Sequence, residues 1–201
     1  MKIKSAEFTL SAPDLESCPK SGLPEFAFIG RSNVGKSSLI NLLTERRDLA
    51  KVSDLPGKTK LINFFQINGT WHLVDLPGYG YADVGRKEQQ AFARAVTDYL
   101  AQRKNLAGIF VLIDSRLPPQ KIDLEFLSWL GTCAVPFALV FSKVDKLSAA
   151  QLQASIARFT TSFLERFTEE PPIFASSAKT KAGRTDILSF IEESLKANNH
   201  G

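Results

Sequence analysis

The chain has 201 residues, of which 44% are hydrophobic and 23% are charged, and its formal net charge is +4. This length suits one domain with a sizeable core, and the composition excludes a disordered or a collagen-like chain. No run approaches the roughly 18 apolar residues of a membrane-spanning helix, and the N-terminus lacks the apolar segment of a secretory signal, so we expect a soluble, cytoplasmic protein.

Apolar runs of strand length alternate along the chain with segments of helical periodicity. The predicted strands are 2–11, 25–29, 61–67, 70–75, 108–114, 137–142 and 172–175, and the predicted helices are 36–45, 87–102, 119–132, 149–167 and 185–197. The dipeptide Asn68-Gly69 is typical of a two-residue hairpin turn. The pattern predicts a three-layer α/β fold, with helices on both faces of a mixed, mostly parallel sheet of six or seven strands that contains one antiparallel hairpin.

A glycine-rich segment between the second predicted strand and the first predicted helix matches the P-loop pattern GxxxxGK[ST] in full. Its residues are Gly30, Arg31, Ser32, Asn33, Val34, Gly35, Lys36 and Ser37, followed by Ser38. Consecutive backbone N–H groups of such a loop can cradle phosphates. The Lys36 ammonium can reach the β- and γ-phosphates, and the Ser37 hydroxyl can ligate Mg²⁺. The segment therefore predicts a nucleoside triphosphate site.

Two irregular segments, 46–60 and 77–85, follow the P-loop and are candidates for functional loops. The first contains Gly57, Lys58 and Thr59, and we expect Thr59 to contact Mg²⁺ and the γ-phosphate only in the triphosphate state. The second follows a strand that ends at Asp75 and begins with Leu76, Pro77 and Gly78. We expect Asp75 to hold Mg²⁺ through a water molecule and the Gly78 N–H to bond the γ-phosphate. The expected catalytic residues are Lys36, Thr59 and Gly78.

Two later segments, each after a predicted strand, suit recognition of a base. They are Ser142, Lys143, Val144 and Asp145, and then Ser176, Ser177 and Ala178. The Asp145 carboxylate can accept hydrogen bonds from N1–H and the 2-amino group of guanine, a donor pair that adenine lacks. The Lys143 stem can lie along the base, and the Ala178 N–H can donate to the guanine O6. An ATPase or a nucleotide kinase is the alternative, and Asp145 argues against it.

In this order, the segments GRSNVGKSS, GKT, DLPGYG, SKVDK and SSAK resemble those of translation-factor-class small GTPases. More narrowly, the chain is similar over about residues 5–197 to the YihA/YsxC/EngB family of bacterial ribosome-assembly GTPases, within the TrmE-Era-EngA-EngB-Septin-like group. The resemblance implies a Ras-like G domain over 23–197, an N-terminal extension with an added strand over 1–22, and a flexible tail over 198–201. It implies slow hydrolysis of GTP to GDP and a role in large ribosomal subunit assembly, linked to cell division and septation.

The chain departs from the pattern of its relatives at two positions that bear on catalysis and binding. Many relatives have Thr or Asn in place of Ser142, whose hydroxyl can still brace the P-loop. Ras-like enzymes have a water-orienting Gln in place of Tyr79, whose ring cannot do this easily, so we expect a low intrinsic rate. Help could come from a partner or from a cation, because an Asn at the place of Asn33 holds K⁺ in some relatives. The alternative is that Asn33 only stabilises the loop.

Positive charge is concentrated in the N-terminal half of the chain. Residues 1–104 hold 15 Lys and Arg against 11 Asp and Glu, a net of +4, whereas 105–201 hold 10 of each. Basic residues flank the nucleotide motifs, at Arg31, Arg46, Arg47, Lys51, Lys58, Lys60, Arg86, Lys87 and Arg94. Such a face suggests ribosomal RNA or a pre-ribosomal particle as partner, and the alternative is a solvated surface that attracts the nucleotide's own phosphates.

Several further expectations remain at this stage. The first concerns catalysis, because a GTP-dependent ribosome-binding module with negligible hydrolysis is a second functional hypothesis. The second concerns the two distant cysteines, Cys18 and Cys133, which we expect to be free thiols rather than a disulfide or a metal site. Finally, we expect a monomer that does not associate with membranes.

Overall fold

The computed structural model describes residues 1–50, 61–79, 86–133 and 135–198. Its strands are β1 (Ala6–Ala12), β2 (Glu25–Gly30), β3 (Ile62–Ile67), β4 (Trp71–Asp75), β5 (Leu106–Asp114), β6 (Phe137–Ser142) and β7 (Ile173–Ala175). Its helices are α1 (Lys36–Thr44), α2 (Arg86–Gln102), α3 (Lys121–Leu130), α4 (Ala149–Leu164) and α5 (Arg184–Asn198), with short 3₁₀ turns at Gly131–Cys133 and Val144–Lys146.

The strands form one seven-stranded sheet in the order β1-β3-β4-β2-β5-β6-β7. The predicted hairpin is confirmed, because β3 pairs antiparallel with β4 around the turn at Asn68 and Gly69. β1 adds a second antiparallel pairing on the outer side of β3, which the sequence did not assign. The remaining neighbours pair in parallel, as expected for strands joined by helical crossovers.

Buried side chains lie on both faces of the sheet, which confirms the predicted three-layer arrangement. One face packs against α1 and α5 through residues such as Ile40 and Ile187, and the other packs against α2, α3 and α4 through residues such as Leu127 and Phe163. The central strand β2 is buried at every position. Parallel strands covered on both faces are apolar along their whole length, which is why β2 lacks alternation.

The first strand begins at Ala6, four residues later than the sequence predicted, because the Asn68 side chain takes the place of strand pairing before it. The Asn68 amide nitrogen donates to the Lys2 carbonyl oxygen at 2.9 Å. The Asn68 side-chain oxygen accepts from the backbone N–H groups of Lys4 at 2.7 Å and Ser5 at 3.1 Å. One turn residue thus satisfies the backbone groups that a longer ladder would have paired.

Helix ends differ from the predicted ones by a few residues. A capping box between Ser148 and Gln151 begins α4, which ends at Leu164 rather than at residue 167. The α3 helix begins at Lys121 rather than at residue 119, and its N-cap, Gln120, is extended, with a φ of −96° and a ψ of 133°. Asn198, expected to begin the tail, is the last residue of α5.

The structure also bears on the expected absence of a membrane-spanning helix and on the state of the two cysteines. No helix in the described ranges is long and apolar enough to cross a membrane. Cys18 and Cys133 are both free, the first buried and the second half-buried. The division of the chain at residue 22 stays a prediction.

Candidate nucleotide site

The segment between β2 and α1 forms a tight loop whose backbone turns twice through the left-handed region. Asn33 has a φ of 59° and Gly35 has a φ of 104°. Alternation of this kind directs successive N–H groups to one side, at the N-terminus of α1, where anions bind. Gly30 has no room for a side chain, because a Cβ atom there would lie 2.9 Å from the carbonyl oxygen of Leu112.

Lys36 and Asp75 meet directly, although they are 39 positions apart. Asp75 ends β4 and pairs in register with Phe28 of the neighbouring β2, which brings its carboxylate beside the loop. The Lys36 ammonium forms an ion pair with the Asp75 carboxylate, and both residues are buried. Ser37 follows in the first turn of α1 and is half-buried. The structure therefore brings the predicted phosphate lysine against one predicted magnesium ligand, Asp75, and the other, Ser37, is its neighbour in the chain.

The residues after Asp75 run back along β2 to the start of the P-loop. The Leu76 N–H donates to the Phe28 carbonyl oxygen at 3.0 Å, and the Tyr79 N–H donates to the Gly30 carbonyl oxygen at 3.3 Å. Leu76 and Pro77 are buried, whereas Gly78 is half-buried. Gly78 thus lies on a segment that is bonded to β2 on one side and to the first residue of the P-loop on the other.

The side chain of Tyr79 points to α3. Its ring stacks on Phe126 with 4.2 Å between ring centroids, and its hydroxyl donates to Asp123 Oδ1 at 2.9 Å. The same carboxylate oxygen lies 3.4 Å from Arg31 Nε. Burial raises the pKa of Tyr79 well above its ordinary value, so the hydroxyl remains a donor at neutral pH. Arg31 is therefore engaged with Asp123 rather than part of a free basic face.

Ser142 contacts the P-loop from the end of β6. Its hydroxyl donates to the Val34 carbonyl oxygen at 2.6 Å and lies 3.2 Å from the Ile113 carbonyl oxygen. Val34 itself is buried, and its N–H donates to the Arg31 carbonyl oxygen at 3.3 Å. The Ser142 hydroxyl thus ties the loop to two neighbouring strands. Two other predicted site residues, Ser32 and Ser38, are half-buried on either side of this contact in the chain.

Lys143 lies across the P-loop in a left-handed backbone conformation, with a φ of 59°. Its ammonium donates to the Asn33 carbonyl oxygen at 2.6 Å and to Asp114 Oδ2 at 2.9 Å. Asp114, at the end of β5, also accepts two hydrogen bonds from the Arg116 guanidinium, at 2.9 and 2.8 Å. Burial acts to raise the pKa of Asp114, but the hydrogen bonds from Arg116 and Lys143 outweigh it and hold this pKa at about 2.

The two predicted base-recognition segments lie together. The Ser177 hydroxyl donates to Asp145 Oδ1 at 2.7 Å, and this hydrogen bond lowers the pKa of Asp145. The Val144 N–H donates to the Ser176 carbonyl oxygen at 3.3 Å, which joins the two segments through their backbones. Ala178 follows and is exposed. Asp145 is therefore a carboxylate at neutral pH and can accept hydrogen bonds.

Two acidic residues of this region, Asp114 and Asp123, were missed by the sequence reasoning. Asp114 could have been found, because it ends a buried parallel strand at the same sheet edge as Asp75 and Ser142. Asp123 gives no comparable signal, since it is one charged residue within an amphipathic helix. Three predicted residues, Gly57, Lys58 and Thr59, lie outside the described part of the chain.

Comparison with known proteins gives close relatives over nearly the whole chain. The family model described as 50S ribosome-binding GTPase matches residues 25–143. A probable GTP-binding protein EngB of Bacteroides fragilis (strain YCH46) is 51% identical over 199 residues, which cover 99% of each chain. The probable GTP-binding protein EngB of Christiangramia forsetii is 53% identical over 192 residues, 96% of this chain and 97% of that one.

Solved structures share the fold. A crystal structure of a probable GTP-binding protein EngB has a TM-score of 0.68 at 23% identity, covering 86% of this chain and 99% of that one. Era in complex with MgGDPNP and a 16S ribosomal RNA fragment has a TM-score of 0.65 at 21% identity, covering 87% and 56%. The family model and the relatives at about 50% identity agree with the P-loop seen in the structure. The chain therefore belongs to the EngB family of GTP-binding proteins and is a GTP-hydrolysing enzyme.

Proposed function

We propose that this GTPase is a nucleotide-dependent switch that acts in assembly of the large ribosomal subunit. One observation supports the switch: the segment that begins at Asp75 is bonded to the P-loop at two points. Asp75 forms an ion pair with Lys36, and the Tyr79 N–H donates to the Gly30 carbonyl oxygen. A triphosphate on the loop would therefore act directly on that segment. The match to the 50S ribosome-binding GTPase model supports the ribosomal partner.

The phosphates would lie on the backbone N–H groups of the P-loop, at the N-terminus of α1. Lys36 would exchange its contact with Asp75 for phosphate oxygens, which leaves that carboxylate free for a metal-bound water. The hydroxyls of Ser37 and Thr59 and the Asp75 carboxylate are hard oxygen donors of the kind that Mg²⁺ prefers. When bound there, Mg²⁺ neutralises charge on the β- and γ-phosphates.

Guanine would be selected by Asp145, with Lys143 along the base and the Ala178 N–H toward O6. The Ser177 hydrogen bond supports this, because it keeps Asp145 ionised and fixes one of its oxygens. A base without the N1–H and 2-amino donors would leave the carboxylate unpaired. Discrimination on this basis can reach about 10⁴-fold.

Hydrolysis would depend on Lys36, on Thr59 and on the Gly78 N–H. The stacked, hydrogen-bonded position of Tyr79 supports a low intrinsic rate, since its side chain is engaged on α3 rather than with an attacking water. A K⁺ ion held by the Asn33 side chain is one source of help. The left-handed backbone of Asn33 and the hydrogen bond from Lys143 to its carbonyl favour the alternative, a role in loop structure.

The partner would be ribosomal RNA or a large-subunit precursor. Arg46 and Arg47 are exposed just after α1, and Arg94 is exposed on α2, so three of the flanking basic residues are available to phosphates. Era, a structural neighbour, is solved with a ribosomal RNA fragment. We further propose that the protein acts as a cytoplasmic monomer.

Sedimentation with purified large subunits tests the proposal. We expect the protein to pellet with a non-hydrolysable GTP analogue but not with GDP, and added salt to weaken the binding. The variant R46A/R47A should bind more weakly. R158A/R166A, which removes the same charge from exposed positions of the neutral half, should bind as the wild type. Equal pelleting with both nucleotides would refute the switch.

A second candidate function is a GTP-dependent ribosome-binding module with negligible hydrolysis. The position of Tyr79 favours it, because its hydroxyl donates to Asp123 and its ring stacks on Phe126 rather than facing an attacking water. Turnover with and without large subunits, in K⁺ and in Na⁺, separates the two candidates. Stimulation by subunits or by K⁺ supports the switch enzyme, whereas a rate that stays negligible under every condition supports the binding module.

A further inference from the structure

Three parts of the molecule that are distant in sequence meet at the Asp123 carboxylate. Arg31 belongs to the P-loop, Tyr79 belongs to the segment after Asp75, and Asp123 lies in the first turn of α3. The side chain of Asp123 is only 2% exposed. Its Oδ1 accepts from the Tyr79 hydroxyl at 2.9 Å and lies 3.4 Å from Arg31 Nε.

A carboxylate this deeply buried depends on its partners, because an unpaired buried charge is costly. If Tyr79 moved away, Asp123 would lose its neutral donor and, among the described side chains, would keep Arg31 alone. The ring of Tyr79 would also lose its stacked neighbour Phe126, at 4.2 Å between centroids. Both effects favour the position that Tyr79 occupies against α3.

Tyr79 is held at its backbone as well as at its side chain. Its N–H donates to the Gly30 carbonyl oxygen at 3.3 Å, and Tyr79 forms an isolated parallel bridge with Arg31. Gly78 directly precedes this doubly held residue, so the position of the Gly78 N–H relative to the P-loop follows from that of Tyr79.

We infer that Asp123 is a positioning residue for recognition of the γ-phosphate: acting through Tyr79, it presets the Gly78 N–H beside the P-loop. Presetting a donor lowers the entropic cost of binding the group it recognises. GDP has no γ-phosphate, so its binding does not depend on this donor. The inference rests on the proposed role of Gly78.

The test compares affinities for a non-hydrolysable GTP analogue and for GDP in single variants. Y79F keeps the ring and its stacking but loses the hydroxyl, and D123N keeps the shape but loses the charge. We expect Y79F to weaken binding of the GTP analogue about tenfold, in line with the loss of a charged hydrogen bond, and D123N to weaken it less, because its amide oxygen still accepts; both should leave GDP affinity unchanged. The double variant should be no weaker than the stronger single one, because both changes act on the same contact.

Two controls make the test specific. E125Q removes an exposed carboxylate from the same helix, where it pairs with Lys121 at 3.6 Å, and should change neither affinity. G78A should lower the preference for the GTP analogue over GDP, as the proposed role of Gly78 requires. Thermal unfolding confirms that each variant is folded.

The possible failures are distinguishable. A wild-type protein that does not bind the GTP analogue contradicts the proposed function, and the inference with it. If G78A loses the preference but D123N and Y79F keep it, the role of Gly78 stands and the inference about Asp123 is wrong. Parallel losses for both nucleotides in D123N and Y79F would likewise overturn it, because they indicate a general structural role.

Discussion

At the scale of single residues, the proposed selection of guanine rests on Asp145. Asp145→Asn replaces one acceptor by a donor, so the side chain should clash with the guanine N1–H side and suit xanthine, which has a carbonyl in place of the 2-amino group. We expect affinity to shift from GTP to XTP by orders of magnitude, measured with fluorescent nucleotide analogues. Asp186→Asn, an equivalent change at an exposed position of α5, should have no effect. Unchanged GTP binding in the first variant would refute the assignment.

Asn33 has two proposed roles, as a ligand of K⁺ or as a residue that stabilises the loop, and a substitution can separate them. Its left-handed backbone, with a φ of 59°, means that Asn33→Ala would add strain, whereas Asn33→Gly removes the amide and tolerates the conformation. If the amide holds K⁺, we expect Asn33→Gly to abolish the difference between turnover in K⁺ and in Na⁺. A variant that keeps any K⁺ stimulation seen in the wild type would assign the residue to loop structure.

Asp114 makes a testable contribution to stability at low pH. Its pKa is lowered from an ordinary value of 3.8 to about 2, so folding favours its ionised form. The resulting stabilisation, about 2 kcal/mol, is fully present above the unfolded-state pKa and is lost as pH falls through the folded-state pKa. Denaturant unfolding of the wild type and Asp114→Asn should therefore differ most above pH 5 and converge toward pH 2. A difference that does not depend on pH would contradict this account.

Some residues of the nucleotide site could be predicted from the sequence and others could not. P-loop and strand-end residues follow from local patterns, since the chemistry requires particular residue types at fixed spacing. The contacts of Asp123 and Lys143 could not be predicted, because they depend on side chains that packing brings together from distant elements. Lys143, expected along the base, also reaches the Asn33 carbonyl and Asp114.

At the scale of elements, a buried ion pair ties the end of α2 to the start of β2. Glu25 is fully buried and accepts hydrogen bonds from Arg103 Nε at 2.9 Å and from the Tyr99 hydroxyl at 2.7 Å. Arg103→Met would leave this carboxylate short of partners and should lower the free energy of unfolding by about 3–5 kcal/mol. Arg94→Met, on the exposed side of α2, should cost under about 0.5 kcal/mol. A small effect of Arg103→Met in urea unfolding would contradict this role.

Strands were predicted well where burial alone decides them. The apolar run of β6 gave its bounds without error, and Asn68-Gly69 gave the hairpin. The predicted start of β1 was wrong, because the Asn68 side chain of that same turn bonds the backbone groups that strand pairing would have used. Its place beside β3 could not be predicted, since an edge strand can pair on either side of a sheet.

At the scale of the whole molecule, strand order explains why the motifs form one site. The carboxyl ends of β2, β4, β5 and β6 lie side by side, so the P-loop, Asp75, Asp114 and Ser142 meet at one sheet edge. The buried Glu25 and Arg103 pair lies at the opposite ends of these strands, where it can stabilise the fold without touching a nucleotide.

The central claim is that this site binds guanine nucleotides and senses the γ-phosphate. The most direct measurement is the affinity of the wild-type protein for GDP, a non-hydrolysable GTP analogue and the matching ATP analogue, in Mg²⁺. We predict tight binding of both guanine nucleotides and binding of the ATP analogue that is weaker by about 10⁴-fold. Comparable affinities for the GTP and ATP analogues would contradict the account.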